Sequence, residues 1–160
     1  MAKSVLFVCF GNICRSTMAE ALFKNYLTQQ GETDQWKVDS AGHGKWHLGE
    51  QPEPRTLQVL EEHGINGYTH TARLVTPEDF DKYDYILGMD DYNLRNLNAM
   101  KPEGSKCLIQ ALGSFDPLGE KTIQDPYFAD SIQEYEDVFD QCQRCCKGFL
   151  DQTKSAQKSD

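Results

Sequence analysis

The sequence lacks several features that define large classes of protein. Within its 160 residues, no stretch approaches the ~18 uninterrupted apolar residues of a membrane span. The short apolar run after residues 1–4 does not follow the plan of a signal peptide. We therefore expect no membrane association and a cytoplasmic location.

Basic residues are also scarce, because 16 Lys and Arg stand against 25 Asp and Glu, for a formal net charge of -9. This charge opposes nonspecific binding to phosphate backbones and anionic surfaces, so no nucleic-acid partner is expected. The hydrophobic share of 39%, with 12 glycines, is typical of globular domains and argues against disorder or a fibrous structure. The length predicts one domain.

Six cysteines are too few for a disulfide scaffold. Cys142, Cys145 and Cys146 invite interpretation as a metal site, but no second Cys or His pair stands at zinc-ligand spacing. Cys142 and Cys146 instead recur with apolar neighbours at helical spacing. We expect them to be small hydrophobic residues on a buried helix face.

Strand-like and helix-like segments alternate along the chain, which predicts a parallel sheet flanked by helices. The predicted strands cover 4–9, 36–41, 84–89 and 106–111. The predicted helices cover 16–30, a segment ending near 63, a short segment after Thr76-Pro77, 91–99, and a last helix from a capping box at 131–134 to about 152. We predict one doubly wound α/β domain over 1–152 and a frayed polar tail over 153–160.

The segment between the first strand and the first helix carries the chemistry, and it reads Cys9-Phe10-Gly11-Asn12-Ile13-Cys14-Arg15-Ser16. A loop at a helix N-terminus turns several backbone N–H groups toward one point, where the helix dipole also favours negative charge. Gly11 and Asn12 tolerate left-handed backbone angles, and the guanidinium of Arg15 matches two phosphate oxygens. The loop is therefore predicted to be an anion cradle.

The N–H groups of the loop and the helix dipole also favour a thiolate at Cys9. The loop therefore holds a nucleophile next to an oxyanion site. Ser16 is placed to donate its hydroxyl to that thiolate. In the alternative interpretation Cys9 is an inert strand end, Arg15 a surface charge and Ser16 an ordinary N-cap. The glycine and asparagine inside the loop favour the phosphate site.

Four segments resemble the low-molecular-weight protein tyrosine phosphatases: VCFGNICRS at 8–16, VDSA at 38–41, DYILGMD at 84–90 and DPY at 125–127. The match covers nearly the whole chain in order, and CQRCC at 142–146 is similar to the animal branch. The resemblance implies a four-stranded parallel sheet of order 2-1-3-4 with the phosphate loop after strand 1. It also implies hydrolysis of phosphotyrosine and small aryl phosphates through a phosphocysteine, with no metal and no cofactor.

The resemblance assigns Cys9 as the nucleophile, Arg15 as the phosphate clamp and Asp125 as general acid and then base. Asp125 precedes a proline, which restricts its backbone and helps to fix its carboxyl group. Asp116 also precedes a proline. The aromatic residues Tyr127 and Phe128 directly follow the second pair and favour Asp125, so we expect Asp116 to be a plain turn residue.

The resemblance also implies supporting roles for residues outside the loop. Asn12, Ser40 and His70 form a hydrogen-bond network that shapes the loop, although each taken alone is typical of a solvated loop residue. Trp46 matches the family's variable rim residue, with packing against the body as the alternative. Asp90 either assists the site or only caps a helix.

The loop residues Phe10, Gly11, Asn12, Ile13, Cys14 and Ser16 are expected to bind substrate with Trp46, Tyr127 and Phe128. The resemblance further implies a disulfide between Cys9 and Cys14 on oxidation, whereas the alternative is that Cys14 points into the core. Three residues depart from the family pattern: Thr17 replaces a proline, Phe10 a leucine and Phe128 a second tyrosine.

Two competing functions are less well supported. An arsenate reductase needs additional thiols as a relay, but 89–100 contains no cysteine and Cys107 lies on a predicted strand. A binding module without turnover is expected to lack the nucleophile or the acid. The expected partners are therefore phosphotyrosine proteins or small aryl phosphates, with inorganic phosphate and vanadate as inhibitors and the chain as a monomer.

Overall fold

The computed structural model describes residues 2–158, which fold around one four-stranded parallel sheet. The strands are β1 (Lys3–Cys9), β2 (Trp36–Gly42), β3 (Tyr85–Gly88) and β4 (Leu108–Ala111). Their order is β2-β1-β3-β4, and all three pairings are parallel. The doubly wound sheet and its strand order are confirmed.

Five α-helices surround the sheet in the described part of the chain: α1 (Arg15–Gln30), α2 (Pro54–Glu62), α3 (Asp79–Lys82), α4 (Asp91–Met100) and α5 (Gln133–Lys158). Alternate residues of β1 enter two separate cores, because successive side chains of a strand point to opposite faces. Val5 and Phe7 pack in the core with α1 and α5, whereas Leu6 and Val8 pack with α3 and α4. This burial on both faces explains the continuous apolar run of β1.

Helix α5 confirms the expectation for the cysteine cluster. Cys142, Cys145 and Cys146 are at most 1% exposed and belong to the core against α1. Burial raises the pKa of Cys145 to about 12, so its thiol stays protonated near neutral pH. These cysteines act as small apolar residues in packing.

The prediction of a frayed tail from residue 153 is wrong for residues 153–158, which continue α5. Thr153 is 6% exposed, and the Lys154 ammonium lies 2.6 Å from a Glu32 carboxylate oxygen. Lys3 also donates to the Thr153 carbonyl at 3.5 Å. These contacts bind the last turns of the helix to the body, and residues 159–160 lie outside the described residues.

Several element boundaries differ from the sequence prediction by one or a few residues, and two of them have clear local reasons. Strand β4 begins at Leu108 rather than 106, because the Cys107 amide donates to the Ser105 hydroxyl in a turn. Helix α3 begins at Asp79, whose carboxylate accepts the Thr76 amide at 2.8 Å, so the Thr76-Pro77 segment is a turn before the helix.

Among residues 2–158, no helix combines the length and the apolar composition needed to cross a bilayer.

Candidate active site

The loop between β1 and α1 curls tightly at the carboxyl edge of the sheet. Asn12 takes the left-handed conformation with φ 58°, whereas Gly11 does not. At the end of β2, a Cβ atom on Gly42 would lie 2.6 Å from the Phe10 carbonyl oxygen, so glycine permits the close approach of this loop. The curl brings Cys9, at the end of β1, next to the first turn of α1.

The Cys9 thiol lies under that first turn and is 2% exposed. Its Sγ atom is 3.0 Å from the Ser16 hydroxyl and accepts the Ser16 backbone N–H at 3.4 Å. Ser16 is not the N-cap of α1, because that position is occupied by Cys14, whose side chain makes no cap hydrogen bond. The hydroxyl of Ser16 is thus directed at the sulfur.

Arg15 is 2% exposed and lies beside the thiol. Its Nη1 donates to Asp90 Oδ2 at 2.7 Å and to the Ile123 carbonyl at 2.9 Å, while Nη2 is 3.7 Å from Asp125 Oδ2. Burial opposes the charge, but the nearby Cys9, Asp125 and Asp90 outweigh it and raise the pKa of Arg15. The guanidinium is therefore charged and fixed at two of its donors.

The Nε donor of Arg15 is unpaired among the described residues. Its Nε atom is buried and has no hydrogen-bond partner within residues 2–158. An unsatisfied buried donor costs about 1–3 kcal/mol, and in native structures it commonly marks a place for a ligand or water. The Nε group of Arg15 can therefore donate a hydrogen bond to a bound ligand.

Asp90 fulfils both interpretations of the sequence. Its Oδ1 accepts the Asn93 amide at 2.8 Å and so caps α4, and the Asn93 side chain accepts the Asp90 amide at 3.1 Å. Its Oδ2 holds Arg15. The start of α4 therefore positions the guanidinium.

The two Asp-Pro pairs have separate locations. Asp125 borders the cavity above Cys9, and its side chain is 41% exposed. Asp116 lies outside that cavity with an inaccessible side chain, paired with Arg144 at 3.0 Å. The structure therefore brings Asp125, and not Asp116, next to Cys9 and Arg15.

A cavity of about 450 Å³ opens above the thiol and is lined by Cys9, Phe10, Gly11, Ile13, Cys14, Arg15, Trp46, His47, Asp125, Tyr127 and Phe128. Trp46 is 80% exposed and Phe128 is 87% exposed, so both stand at the rim and packing of Trp46 against the body is wrong. His47, which the sequence analysis missed, contacts the Tyr127 ring at 5.1 Å. Its position directly after Trp46 was an available signal.

Asn12, Ser40 and His70 lie together behind the loop. Asn12 Nδ2 donates to Ser16 Oγ at 2.8 Å and to Ser40 Oγ at 3.0 Å, and its Oδ1 lies 2.8 Å from His70 Nε2. Asn12 and Ser40 are buried, so the alternative of solvated loop residues is wrong. Glu20, missed from the sequence, accepts the Ser40 hydroxyl at 2.6 Å. The signal for Glu20 was a carboxylate between two alanines on an apolar helix.

Cys14 borders the cavity and also the core, so neither interpretation of its position is complete. It is 4% exposed, and its Sγ atom is 3.5 Å from the Tyr135 hydroxyl. Burial raises the pKa of the Cys14 thiol well above its usual range. The departure at Thr17 is accommodated by a hydrogen bond from its hydroxyl to the Cys14 carbonyl at 3.1 Å.

A parallel α/β sheet with a thiol, a buried arginine and a carboxylate around one cavity fits the class of enzymes that handle oxyanions. The family model for low molecular weight phosphotyrosine protein phosphatases matches residues 4–159. The chain belongs to this family, and it is accordingly a hydrolase of the phosphotyrosine phosphatase type.

Individual relatives are similar to this chain along almost its full length. The chain is 46% identical over 156 residues to the low molecular weight phosphotyrosine protein phosphatase of Sus scrofa, covering 96% of this chain and 98% of the relative. The Homo sapiens protein of the same name is 45% identical over 151 residues, covering 93% and 94%. A solved protein tyrosine phosphatase from Entamoeba histolytica superposes with a TM-score of 0.91 at 30% identity, covering 98% and 99%.

Proposed function

We propose that this protein hydrolyses phosphotyrosine and small aryl phosphate monoesters through a covalent phosphocysteine on Cys9, with no metal or cofactor. The observation that carries the proposal is the buried Arg15 beside the Cys9 thiol, with its Nε donor unpaired among the described residues. A bound phosphoryl oxygen is an acceptor that satisfies this donor. Inorganic phosphate and vanadate therefore bind as competitive inhibitors.

The phosphoryl group is held by the N–H groups of the loop at the N-terminus of α1 and by the Arg15 guanidinium. Asn12, Ser40 and His70 keep the loop in its curled form through the hydrogen bonds behind it. Because these donors are fixed before substrate arrives, they stabilise the charge of the transition state without reorganisation.

In the first step the Cys9 thiolate attacks phosphorus, and the sulfur–phosphorus bond forms as the bond to the phenolic oxygen breaks. Asp125 protonates the departing oxygen, a contribution of about 10²- to 10⁴-fold. The Ser16 hydroxyl, 3.0 Å from the sulfur, stabilises the thiolate before attack.

In the second step a water molecule attacks the phosphocysteine, and the Asp125 carboxylate accepts its proton. The sulfur–phosphorus bond breaks, inorganic phosphate is released, and the thiolate returns to the Ser16 hydroxyl. Asp125 therefore serves as acid and then as base, and it ends the cycle protonated as it began.

The substrate class follows from the walls of the cavity. Trp46, Tyr127 and Phe128 present aromatic rings around the opening, and such rings favour a phenyl group over a small alcohol. Phosphotyrosine proteins are the proposed partners, with no nucleic acid or membrane involved and the chain acting as a monomer. Because the mechanism needs a reduced Cys9, a reducing compartment such as the cytoplasm suits it.

Steady-state hydrolysis of p-nitrophenyl phosphate in the presence of EDTA tests the proposal. We expect activity in the wild type and none in Cys9→Ser, which still binds phosphate and vanadate because Arg15 and the loop remain. Cys107→Ser, at a buried cysteine outside the cavity, is the matched control and retains activity. Appreciable hydrolysis by folded Cys9→Ser, or loss of wild-type activity with EDTA, contradicts the proposal.

We also propose that Cys14 is the resolving thiol when peroxide oxidises Cys9. Peroxide converts the thiolate to a sulfenic acid; Cys14 then attacks that sulfur, water leaves, and a disulfide forms. Peroxide-treated wild type is expected to regain activity with dithiothreitol, and Cys14→Ser to recover much less. Equal recovery, with no Cys9–Cys14 peptide by mass spectrometry, rejects Cys14 in this role.

A further inference from the structure

A histidine outside the cavity belongs to an aromatic cluster that borders the phosphate loop. The centre of the His43 ring lies 5.3 Å from that of Phe10 and 5.1 Å from that of Tyr92. The Phe10 and Tyr92 rings stack on each other at 6.0 Å. A Cβ atom on the next residue, Gly44, would lie 2.4 Å from the Phe10 ring, so this ring packs directly against the backbone that follows His43. The packing fixes the place of the imidazole.

The hydrogen-bond partner of His43 is fixed as well. Asn93 is fully buried, and its Oδ1 accepts the Met89 amide at 3.0 Å and the Asp90 amide at 3.1 Å. These two donors determine which end of the amide is the oxygen, so Nδ2 faces His43 Nε2 at 2.8 Å. Since Nδ2 donates, Nε2 must accept, and the imidazole is neutral with its proton on Nδ1.

The contacts continue from Asn93 to the phosphate clamp. The backbone N–H of Asn93 donates to Asp90 Oδ1 at 2.8 Å. Asp90 Oδ2 in turn accepts a hydrogen bond from Arg15 Nη1 at 2.7 Å. We propose that His43 is a positioning residue whose neutral ring fixes Asn93 and, through Asp90, orients the Arg15 guanidinium toward the phosphoryl group. This inference rests on the proposed role of Arg15.

The arrangement makes phosphate binding sensitive to acid. Protonation turns Nε2 into a donor that faces the Asn93 donor, and the hydrogen bond is lost. Of the described residues, two charged groups act on the ring, Asp90 at the N-cap of α4 and Arg15 from α1, and the Tyr92 phenol packs against it. Burial lowers the pKa of His43, Asp90 opposes this, and Arg15 adds to the lowering. The neutral, bonded form therefore persists to below the ordinary pKa of ~6.5.

The test compares His43→Leu, which removes the acceptor, with His43→Gln, whose side-chain oxygen accepts without titrating. Tyr92→Leu is the matched control, because it removes a ring from the cluster and leaves the chain of hydrogen bonds. The readouts are the dissociation constant of inorganic phosphate by calorimetry and kcat/KM for p-nitrophenyl phosphate, from pH 5 to pH 7.5. Thermal unfolding of each variant is measured in parallel.

At pH 7 we expect His43→Leu to weaken phosphate binding and kcat/KM by about three- to tenfold. His43→Gln and Tyr92→Leu are expected to stay within about twofold of the wild type. Once the pH falls below the lowered pKa of His43, the wild type is expected to lose phosphate affinity relative to His43→Gln, since only the wild type titrates at this position.

Three outcomes overturn the inference: His43→Leu equal to wild type, His43→Gln as impaired as His43→Leu, or parallel pH profiles for wild type and His43→Gln. If Tyr92→Leu matches His43→Leu, ring packing explains the effect and the positioning role is wrong. A wild type that neither binds phosphate nor hydrolyses the ester contradicts the proposed function instead.

Discussion

Asp116 and Asp125 each precede a proline in the segment between β4 and α5, but the two carboxylates have opposite surroundings. The Asp116 side chain is inaccessible and accepts two Arg144 nitrogens at 3.0 and 3.1 Å and the Leu118 amide at 2.9 Å. The Asp125 side chain is 41% exposed, and its contact with Arg15 Nη2 is 3.7 Å long.

The proline restricts the backbone of both aspartates in the same way, so the partner decides the role of each. Hydrogen bonds from Arg144 lower the pKa of Asp116, against the opposing effect of burial, and keep this carboxylate ionised and fixed. Asp125 also accepts the amide two residues on, from Tyr127 at 3.1 Å, but it has no close arginine pair among the described residues, and its partly exposed carboxyl group borders the cavity above Cys9. We infer that the first pair stabilises the fold and the second carries the proton transfer.

The largest expected effect is a difference in kcat between variants of the two Asp-Pro pairs. With phenyl phosphate, Asp125→Ala is expected to lower kcat by about 10²- to 10⁴-fold, because the phenolate leaves unprotonated. Asp116→Ala is expected to retain kcat within a few fold, since Asp116 lies outside the cavity. Steady-state kinetics of the two variants measure this, and exchanged phenotypes would mean that the roles are reversed.

Stability is expected to show the opposite order. Asp116→Asn removes acceptors from Arg144 in a buried place and is expected to lower the free energy of unfolding by about 1–3 kcal/mol. Asp125→Asn changes an exposed side chain and is expected to stay within about 0.5 kcal/mol. Urea unfolding provides both values, and equal losses for the two variants would remove the distinction.

The pH dependence of stability sharpens the same contrast. Because the folded-state pKa of Asp116 is lowered, its contribution is fully present above the unfolded-state pKa of ~3.9 and is lost as the pH falls through the folded-state value. The difference in unfolding free energy between wild type and Asp116→Asn should therefore be constant from pH 7 to pH 5 and shrink below pH 4. A difference that does not shrink at all as the pH falls from 4 to 2 would contradict the ion-pair explanation.

The smallest effect concerns the apolar residues just after each pair. Tyr127→Ala is expected to raise KM for p-nitrophenyl phosphate by about two- to tenfold, with little change in phosphate inhibition, because it removes a wall of the cavity. Leu118→Ala, at an exposed position after the first pair, is expected to change neither constant. Inhibition constants that rise together with KM would assign Tyr127 to support of the loop.

The sequence predicted the features that depend on neighbouring residues. The apolar run of β1, the glycine and asparagine of the loop and the start of α1 are all set within residues 3–16. The end of α5 was mispredicted because Thr153 and Lys154 contact Lys3 and Glu32, which are distant in the sequence. The sequence does not show these contacts, so the polar segment was predicted to be a frayed tail.

The site shows the same limit. Cys9, Ser16 and Arg15 follow from one local motif, and Asp125 was preferred over Asp116 from the rings that follow it. Arg144, which fixes Asp116, lies about three turns into α5, and no pattern links the two. His47 and Glu20 carried local signals, but their contacts with Tyr127 and Ser40 join residues that are distant in the sequence.

The most direct test of the account is to locate the covalent phosphate. Enzyme mixed with p-nitrophenyl phosphate is quenched in acid during turnover, and its peptides are mapped by mass spectrometry. Asp125→Ala is expected to accumulate phosphate on the peptide that contains Cys9, because p-nitrophenolate leaves without much help while the second step lacks its base. Asp116→Ala should accumulate no more than the wild type, and Cys9→Ser none. Phosphate on another residue, or turnover by Asp125→Ala at the wild-type rate with no phosphocysteine, would contradict the account.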